Sequence, residues 1–399
     1  MSLRRLLFAS CHSYIDPSSG AAWATRDVLE LLAARGVECR AISTGVLSYE
    51  RETALAPMLK ALEVPIRQFA VPMDNGVAVD ACSFELGRVG VTLVRTASSR
   101  IERAPDRMES HAFLKHFERT LDEFKPQALL TYGGHSANLA LMAQARQRGV
   151  PVVFHLHNLA YDVGPTFANV TALIVPSEYA RRHYARRLGR ESVAIPSPLI
   201  PARTVAIDRD PRYVTFINPQ AAKGAAVFAR IAAELSLRRP EIPFLVVEGR
   251  RSADGLAEVK LDLSALRNLN RLPNVSDPRA IYRLTRILLA PSLVRETFGR
   301  VASEAMANGI PVLASDRGSL PETLGDAGFV LTIPERCTPT SDAVPTAHEV
   351  APWVATIERL WDDPEWEATH QERARVEARR WDPDFLANQY LSFFTSHVS

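Results

Sequence analysis

The chain has 399 residues, 47% of them hydrophobic and 23% charged, with a formal net charge of +2. That length exceeds what one hydrophobic core usually supports, so two domains are expected. The small net charge excludes whole-molecule steering toward nucleic acid or an anionic membrane, so any anion site must be local.

The start, Met1-Ser-Leu-Arg-Arg-Leu-Leu-Phe-Ala-Ser-Cys11, has the look of a lipoprotein leader. Its apolar run, Leu6 to Ala9, is shorter than the roughly 7–15 residues of such a leader, and a buried first strand is the better reading. The four cysteines, Cys11, Cys39, Cys82 and Cys337, are scattered without a CxxC pair, as in a reducing compartment. No stretch reaches the roughly 18 apolar residues of a membrane span. A cytoplasmic location is expected.

In chain order, Leu6–Ser10 reads as a strand, and the polar turn His12–Gly20 follows it. Ala24, Val28, Leu31 and Leu32 repeat at helical spacing up to a stop at Gly36, and Val37–Ile42 is the next strand. Such a βαβ unit predicts a parallel sheet. Residues 49–110 carry no clear period. Strands at Ala128–Thr131, Val150–His155 and Ala172–Val175 alternate with helices from Ser136 to Arg148 and from Ser177 to Arg187.

Four prolines between Ile195 and Pro211 mark a boundary, after which the alternation begins afresh. Strands are expected at Tyr213–Ile217, Phe244–Val247, Ile287–Ala290, Pro311–Ala314 and Phe329–Leu331. Helices are expected at Lys223–Arg239, around Ile281–Leu284 and at Arg300–Ala307, with a helical tail from Val350. The expected fold is α/β, two Rossmann-like doubly wound domains facing a cleft, with a C-terminal helix crossing back. The corresponding segments are 1–200, 201–370 and 371–399.

Chemistry concentrates in Pro291-Ser-Leu-Val-Arg-Glu-Thr-Phe-Gly-Arg-Val-Ala-Ser-Glu-Ala-Met-Ala-Asn-Gly-Ile-Pro-Val-Leu-Ala314. A loop carrying Glu296 enters a helix near Gly299, and that helix carries Glu304. Helix-start amides and two carboxylates suit a phosphate and sugar hydroxyls. From spacing alone, a dipole-complementing carboxylate and a solvated glutamate fit equally well. Asn218-Pro-Gln-Ala-Ala-Lys-Gly224 places Lys223, one of only five lysines, beside open backbone amides, a setting for a diphosphate. Phe154-His-Leu-His-Asn158 puts two imidazoles on one face of a strand, with no third ligand for a metal.

The first of these segments, with Ser319-Leu-Pro-Glu-Thr-Leu-Gly-Asp-Ala-Gly328, resembles the retaining glycosyltransferases of family four (glycosyl transferases group 1), which have the GT-B architecture. The resemblance implies transfer of a sugar from a UDP- or GDP-linked donor, with retention at the anomeric carbon, by a metal-independent enzyme. No cofactor is implied, because the nucleotide sugar is a co-substrate. Glu296, His157 and Lys223 are then the expected catalytic residues. Gly20, Asn218, Lys223, Gly224, Phe298, Gly299 and Glu304 would bind the donor, and Ser19 and His135 would line the acceptor side. Two positions depart from the family pattern: Asn218 stands where an arginine is usual, and Ser19 replaces the first glycine of a pair ending at Gly20.

The acceptor, whether a glycan, a lipid-linked sugar or a small molecule, is open. No nucleic-acid partner is expected. The run Arg181–Arg190 reads as a solvated helix face, with peripheral membrane contact as the alternative. Asp208-Arg-Asp210 has the form of an Asp-x-Asp metal motif but lies in the linker and reads as solvated. Two other functions fit the same fold: a sugar-nucleotide epimerase and a catalytically silent donor-binding module.

Overall fold

The computed structural model describes the chain apart from residues 1, 50, 75, 162–163, 250–255, 257, 262, 264–265, 276 and 399. The chain forms two compact units, Met1–Pro198 with Pro383–Ser399, and Leu199–Asp382.

The first unit runs β1 (Arg5–His12), α1 (Gly20–Ala34), β2 (Glu38–Val46), α2 (Leu55–Ala61), β3 (Arg67–Pro72), β4 (Ala78–Leu86) and β5 (Val89–Val94). It continues with α3 (Arg107–Phe124), β6 (Ala128–Thr131), α4 (Ser136–Gln147), β7 (Val152–His155), β8 (Ala172–Val175), α5 (Glu178–Leu188) and β9 (Val193–Ala194). The sheet order is β3-β4-β5-β2-β1-β6-β7-β8-β9. All neighbours are parallel except at one edge, where β4 runs antiparallel to both β3 and β5. That edge comes from the segment without a legible period. β1 is buried on both faces, which explains its unbroken run Leu6-Leu7-Phe8-Ala9.

The second unit runs α6 (Pro201–Thr204), β10 (Tyr213–Ile217), α7 (Ala225–Arg238), β11 (Phe244–Val247), β12 (Leu269–Leu272), α8 (Arg279–Leu284) and β13 (Thr285–Ala290). After these come α9 (Arg300–Ala307), β14 (Val312–Ser315), α10 (Leu320–Leu324), β15 (Phe329–Leu331), α11 (Ala347–Asp362) and α12 (Pro364–Ala378). Its all-parallel order, β12-β11-β10-β13-β14-β15, is that of a nucleotide-binding Rossmann sheet. Alternate residues face opposite layers. Val214, Phe216, Phe244, Val246, Ile287 and Leu289 pack with α7 and α11, while Leu245 and Val247 pack with Ile281 of α8.

The last helix, α13 (Pro383–Val398), belongs to the first unit. Tyr390 is fully buried and its hydroxyl donates to the Pro196 carbonyl at 3.3 Å, while Arg35, which caps the end of α1, pairs with Asp384 at 2.6 Å. The return to the first unit comes at Pro383 rather than at 371, because α12 stays packed on the second unit. Glu367 pairs with Arg286 of β13 at 2.6 Å, and the Arg375 guanidinium lies where a Cβ at Gly309 would project. No helix among the described residues is long and apolar enough to cross a membrane.

Candidate active site

Strand order in the second unit reverses between β10 and β13, so the chain leaves these two strands toward opposite faces, and the carboxyl ends of such a pair are where open α/β sheets bind ligands. Residues 218–224 and 291–299 are the loops there. They are joined directly: the Ala222 carbonyl accepts hydrogen bonds from the Leu293 and Val294 amides at 3.0 and 3.2 Å. Gly224 has a left-handed backbone (φ +90°), and a Cβ there would overlap the Pro291 carbonyl oxygen. This corrects the expected helix start at Lys223. A 3-10 turn, Ala221–Lys223, comes first, and the left-handed glycine separates it from α7.

The turn delivers Lys223 to Glu296. Its Nζ lies 2.5 Å from Glu296 Oε1, and the Ser292 hydroxyl donates to the same oxygen at 2.8 Å. The lysine side chain is 34% exposed and the glutamate 19%, so solvent can reach the pair. The Glu296 backbone is fixed as well: its carbonyl accepts from the Ser319 amide at 2.9 Å, and it bridges to Gly318. Asn218, in the left-handed region at φ +64°, donates from Nδ2 to Gln220 Oε1 at 3.1 Å and packs on Gly249. It lies in the same loop as Lys223 but adds no charge.

Gly299 caps α9, and Glu304 sits one turn in, 7% exposed. Both its oxygens have donors: Tyr282 Oη at 2.7 Å and Arg300 Nε at 2.6 Å. Burial, and then the carboxylate of Glu304, push the Tyr282 phenol well above its usual pKa, so it remains a hydrogen donor. The Phe298 side chain is buried edge-on against Trp381 with ring centroids 5.8 Å apart, and the Thr323 hydroxyl holds its carbonyl. Phe298 is therefore an anchor for the loop, and what it can offer a ligand is backbone. Ser292, Tyr282 and Arg300 escaped the sequence reading. Arg300 was legible as the i−4 partner of Glu304, whereas Tyr282 is 22 residues away in sequence.

In the first unit the order reverses between β1 and β6. Ser19 caps α1, its hydroxyl accepting from the Ala22 amide at 3.4 Å. Gly20 opens the helix at an exposed position, with no atom of the other described residues within 4 Å of where a Cβ would stand. Asp16 fixes the preceding turn, accepting from the Ser18 and Ser48 amides at 2.9 and 2.7 Å. His135 caps α4, its Nδ1 accepting from the Ala137 amide at 3.2 Å, and burial lowers its pKa. Its remaining proton then sits on Nε2.

Four rings form a row across the carboxyl ends of β1, β6 and β7. His12 stacks on Tyr132 at 5.9 Å, Tyr132 meets His157 edge-on at 5.2 Å, and His157 lies 4.0 Å from His155. The two histidines are thus neighbours, as their alternation implied. Asn138, which sequence gave no reason to single out, ties this edge together. Its Oδ1 accepts from the Cys11 amide at 2.9 Å, and its amide nitrogen donates to Ser10 Oγ and to the Tyr132 carbonyl. No group of three histidine, cysteine or carboxylate residues among the described residues could hold a metal. In the linker, Asp210 pairs with Arg212 at 2.5 Å, while Arg209 turns inward to the carbonyls of Asn308 and Thr285.

Two expectations follow. Gly224→Ala should destabilise the protein by about 2–4 kcal/mol in denaturant unfolding, from left-handed strain and overlap with Pro291. His155 is fully buried, neither ring nitrogen has a partner among the described residues, and burial lowers its pKa to about 3. The unfolded chain binds this proton below pH ~6.5 and the native state does not until about 3. Stability is therefore lost as pH falls through that window, and His155→Phe should flatten this part of the stability–pH curve.

Residues 211–346 match the family model for glycosyl transferases group 1, and residues 19–196 match that for the glycosyl transferase 4-like domain. A phosphatidyl-myo-inositol mannosyltransferase from Mycolicibacterium smegmatis is 30% identical over 241 residues, 58% of each chain. A D-inositol 3-phosphate glycosyltransferase from Corynebacterium kroppenstedtii is 30% identical over 171 residues, 41% of this chain and 35% of that one. The alignments therefore span only 58% and 35% of these two relatives. Among solved structures, Anabaena HepE in complex with UDP and glucose is similar over 98% of this chain and 100% of its own, with a TM-score of 0.67 at 17% identity. The sucrose-phosphate synthase of Thermosynechococcus elongatus gives a TM-score of 0.67 at 17% identity, over 98% of each chain. With both of its domains matched and the sheet orders in place, the chain belongs to the glycosyl transferases group 1 and has their GT-B architecture of two Rossmann-like domains.

Proposed function

We propose that the protein transfers a sugar from a nucleoside-diphosphate sugar, UDP- or GDP-linked, to a hydroxyl of an acceptor with retention of configuration. The observation that carries this reading is the Lys223–Glu296 pair at the reversal point of the second sheet. It sets a cation suited to the leaving diphosphate against a carboxylate suited to sugar hydroxyls. The start of α9, which has no side-chain cap at Gly299, brings backbone amides beside them. Glu304, its carboxylate oriented by Tyr282 and Arg300, suits the ribose hydroxyls. The relatives named above act on inositol-based acceptors, which supports a polyol hydroxyl as nucleophile.

In this reading the diphosphate leaves as the acceptor hydroxyl attacks the same face, and a phosphate oxygen takes the hydroxyl proton. Lys223 stabilises the charge that grows on the leaving oxygen, and Glu296 holds the sugar while the anomeric carbon becomes electron-poor. Neither side chain needs to form a covalent bond. His157, Ser19, Gly20 and His135 mark the edge of the first unit that would serve the sugar and the acceptor. The uncharged Asn218 favours a second reading, a donor-binding module without turnover.

Isothermal titration with UDP and GDP tests the proposal first. One of the two should bind in the micromolar range, and Lys223→Ala should weaken it at least about tenfold, the loss of a charge-assisted hydrogen bond. If neither nucleotide binds, the donor assignment is wrong. Turnover of the matching nucleotide sugar separates the enzyme from the silent module. Glu296→Gln should lower kcat by about 10²–10³, with an NMR readout of the product anomer reporting retention in the wild type.

A further inference from the structure

The diphosphate cation of the donor site already has an anionic partner inside the protein. Lys223 Nζ is 2.5 Å from Glu296 Oε1, and Ser292 Oγ, on a residue only 3% exposed, holds that oxygen from the other side at 2.8 Å. The backbone of both partners is set: the Ala222 carbonyl is tied to the 293–294 amides, and the Glu296 carbonyl to the Ser319 amide. The pair is thus built into the fold.

We infer that Glu296 is an internal competitor for Lys223, and that it makes the site favour the sugar-loaded nucleotide over the bare nucleoside diphosphate. This inference rests on the donor reading above. A diphosphate that takes Lys223 displaces it from Glu296 or places a second anion against that carboxylate. With an intact donor, sugar hydroxyls give Glu296 new hydrogen-bond donors and replace what it lost. The bare diphosphate brings no such hydroxyls, and a carboxylate only 19% exposed then faces the phosphate charge with its contact to Lys223 weakened. The same residue then has two effects: it holds the sugar before transfer, and it weakens the hold on the nucleotide once the sugar has gone. Product release is assisted by the group that binds the substrate.

The test compares dissociation constants for UDP and UDP-glucose, or GDP and GDP-mannose, in wild type, Glu296→Gln and Glu296→Asp, with thermal unfolding to confirm folding. Glutamine removes the charge, and aspartate draws it back by one methylene. Glu296→Gln should bind the bare diphosphate about three- to tenfold more tightly than the wild type, the scale of a partly exposed ion pair. Its affinity for the sugar nucleotide should stay level or fall, so the preference for the loaded donor shrinks. Glu296→Asp should shift the same way by less. Unchanged or weaker binding of the bare diphosphate in Glu296→Gln would overturn the competitor role. No diphosphate binding by the wild type would instead mean that the donor reading itself had failed.

Discussion

The second unit depends on the close apposition of two loops at one point of its sheet. One carbonyl, that of Ala222, serves two amides of the neighbouring loop, and Gly224 leaves no side chain between the Pro291 carbonyl and the turn. Parallel order makes this geometry available, because β10 and β13 are neighbours whose following helices lie on opposite faces. Once the loops touch, Lys223 and Glu296 are 2.5 Å apart although 73 residues separate them in the chain. A side chain at position 224 would push the loops apart and carry the lysine away with them.

The two carboxylates Glu296 and Glu304 follow one pattern. Glu296 is balanced by Lys223, and the more deeply buried Glu304 by Arg300 with a hydrogen bond from Tyr282. Partly buried carboxylates are tolerated because each has a cation and a neutral donor of its own. Each of these two pairs sets one cation against one carboxylate. An anionic ligand would then rely on redistribution of existing ion pairs and on backbone amides rather than on a long-range positive field.

The edge of the first unit is built differently. It has aromatic and imidazole rings in a row, His12, Tyr132, His157 and His155. His155 is held neutral by burial, and Asn138 locks the ends of β1 and β6 together beneath the row. At Gly20, at the start of α1, a Cβ would meet no atom of the other described residues within 4 Å.

Periodicity and punctuation determined much of this protein by themselves. The apolar runs of β1, β6, β8 and β10 are legible because strands buried on both faces must be continuously hydrophobic, and the proline-rich linker because it has no period to continue. The loop–helix segment with Glu296 and Glu304 was legible too, since helix entry and carboxylate spacing are local. The antiparallel edge β3–β5 was not, because its residues are only half covered and their alternation is weak. Nor could sequence show that Lys223 precedes its helix, or that Ser292, Tyr282 and Asn138 hold the functional groups in place. Tyr282 meets Glu304 across 22 residues of chain and Asn138 meets the Cys11 amide across 127, and only strand order and loop packing decide which distant side chains meet.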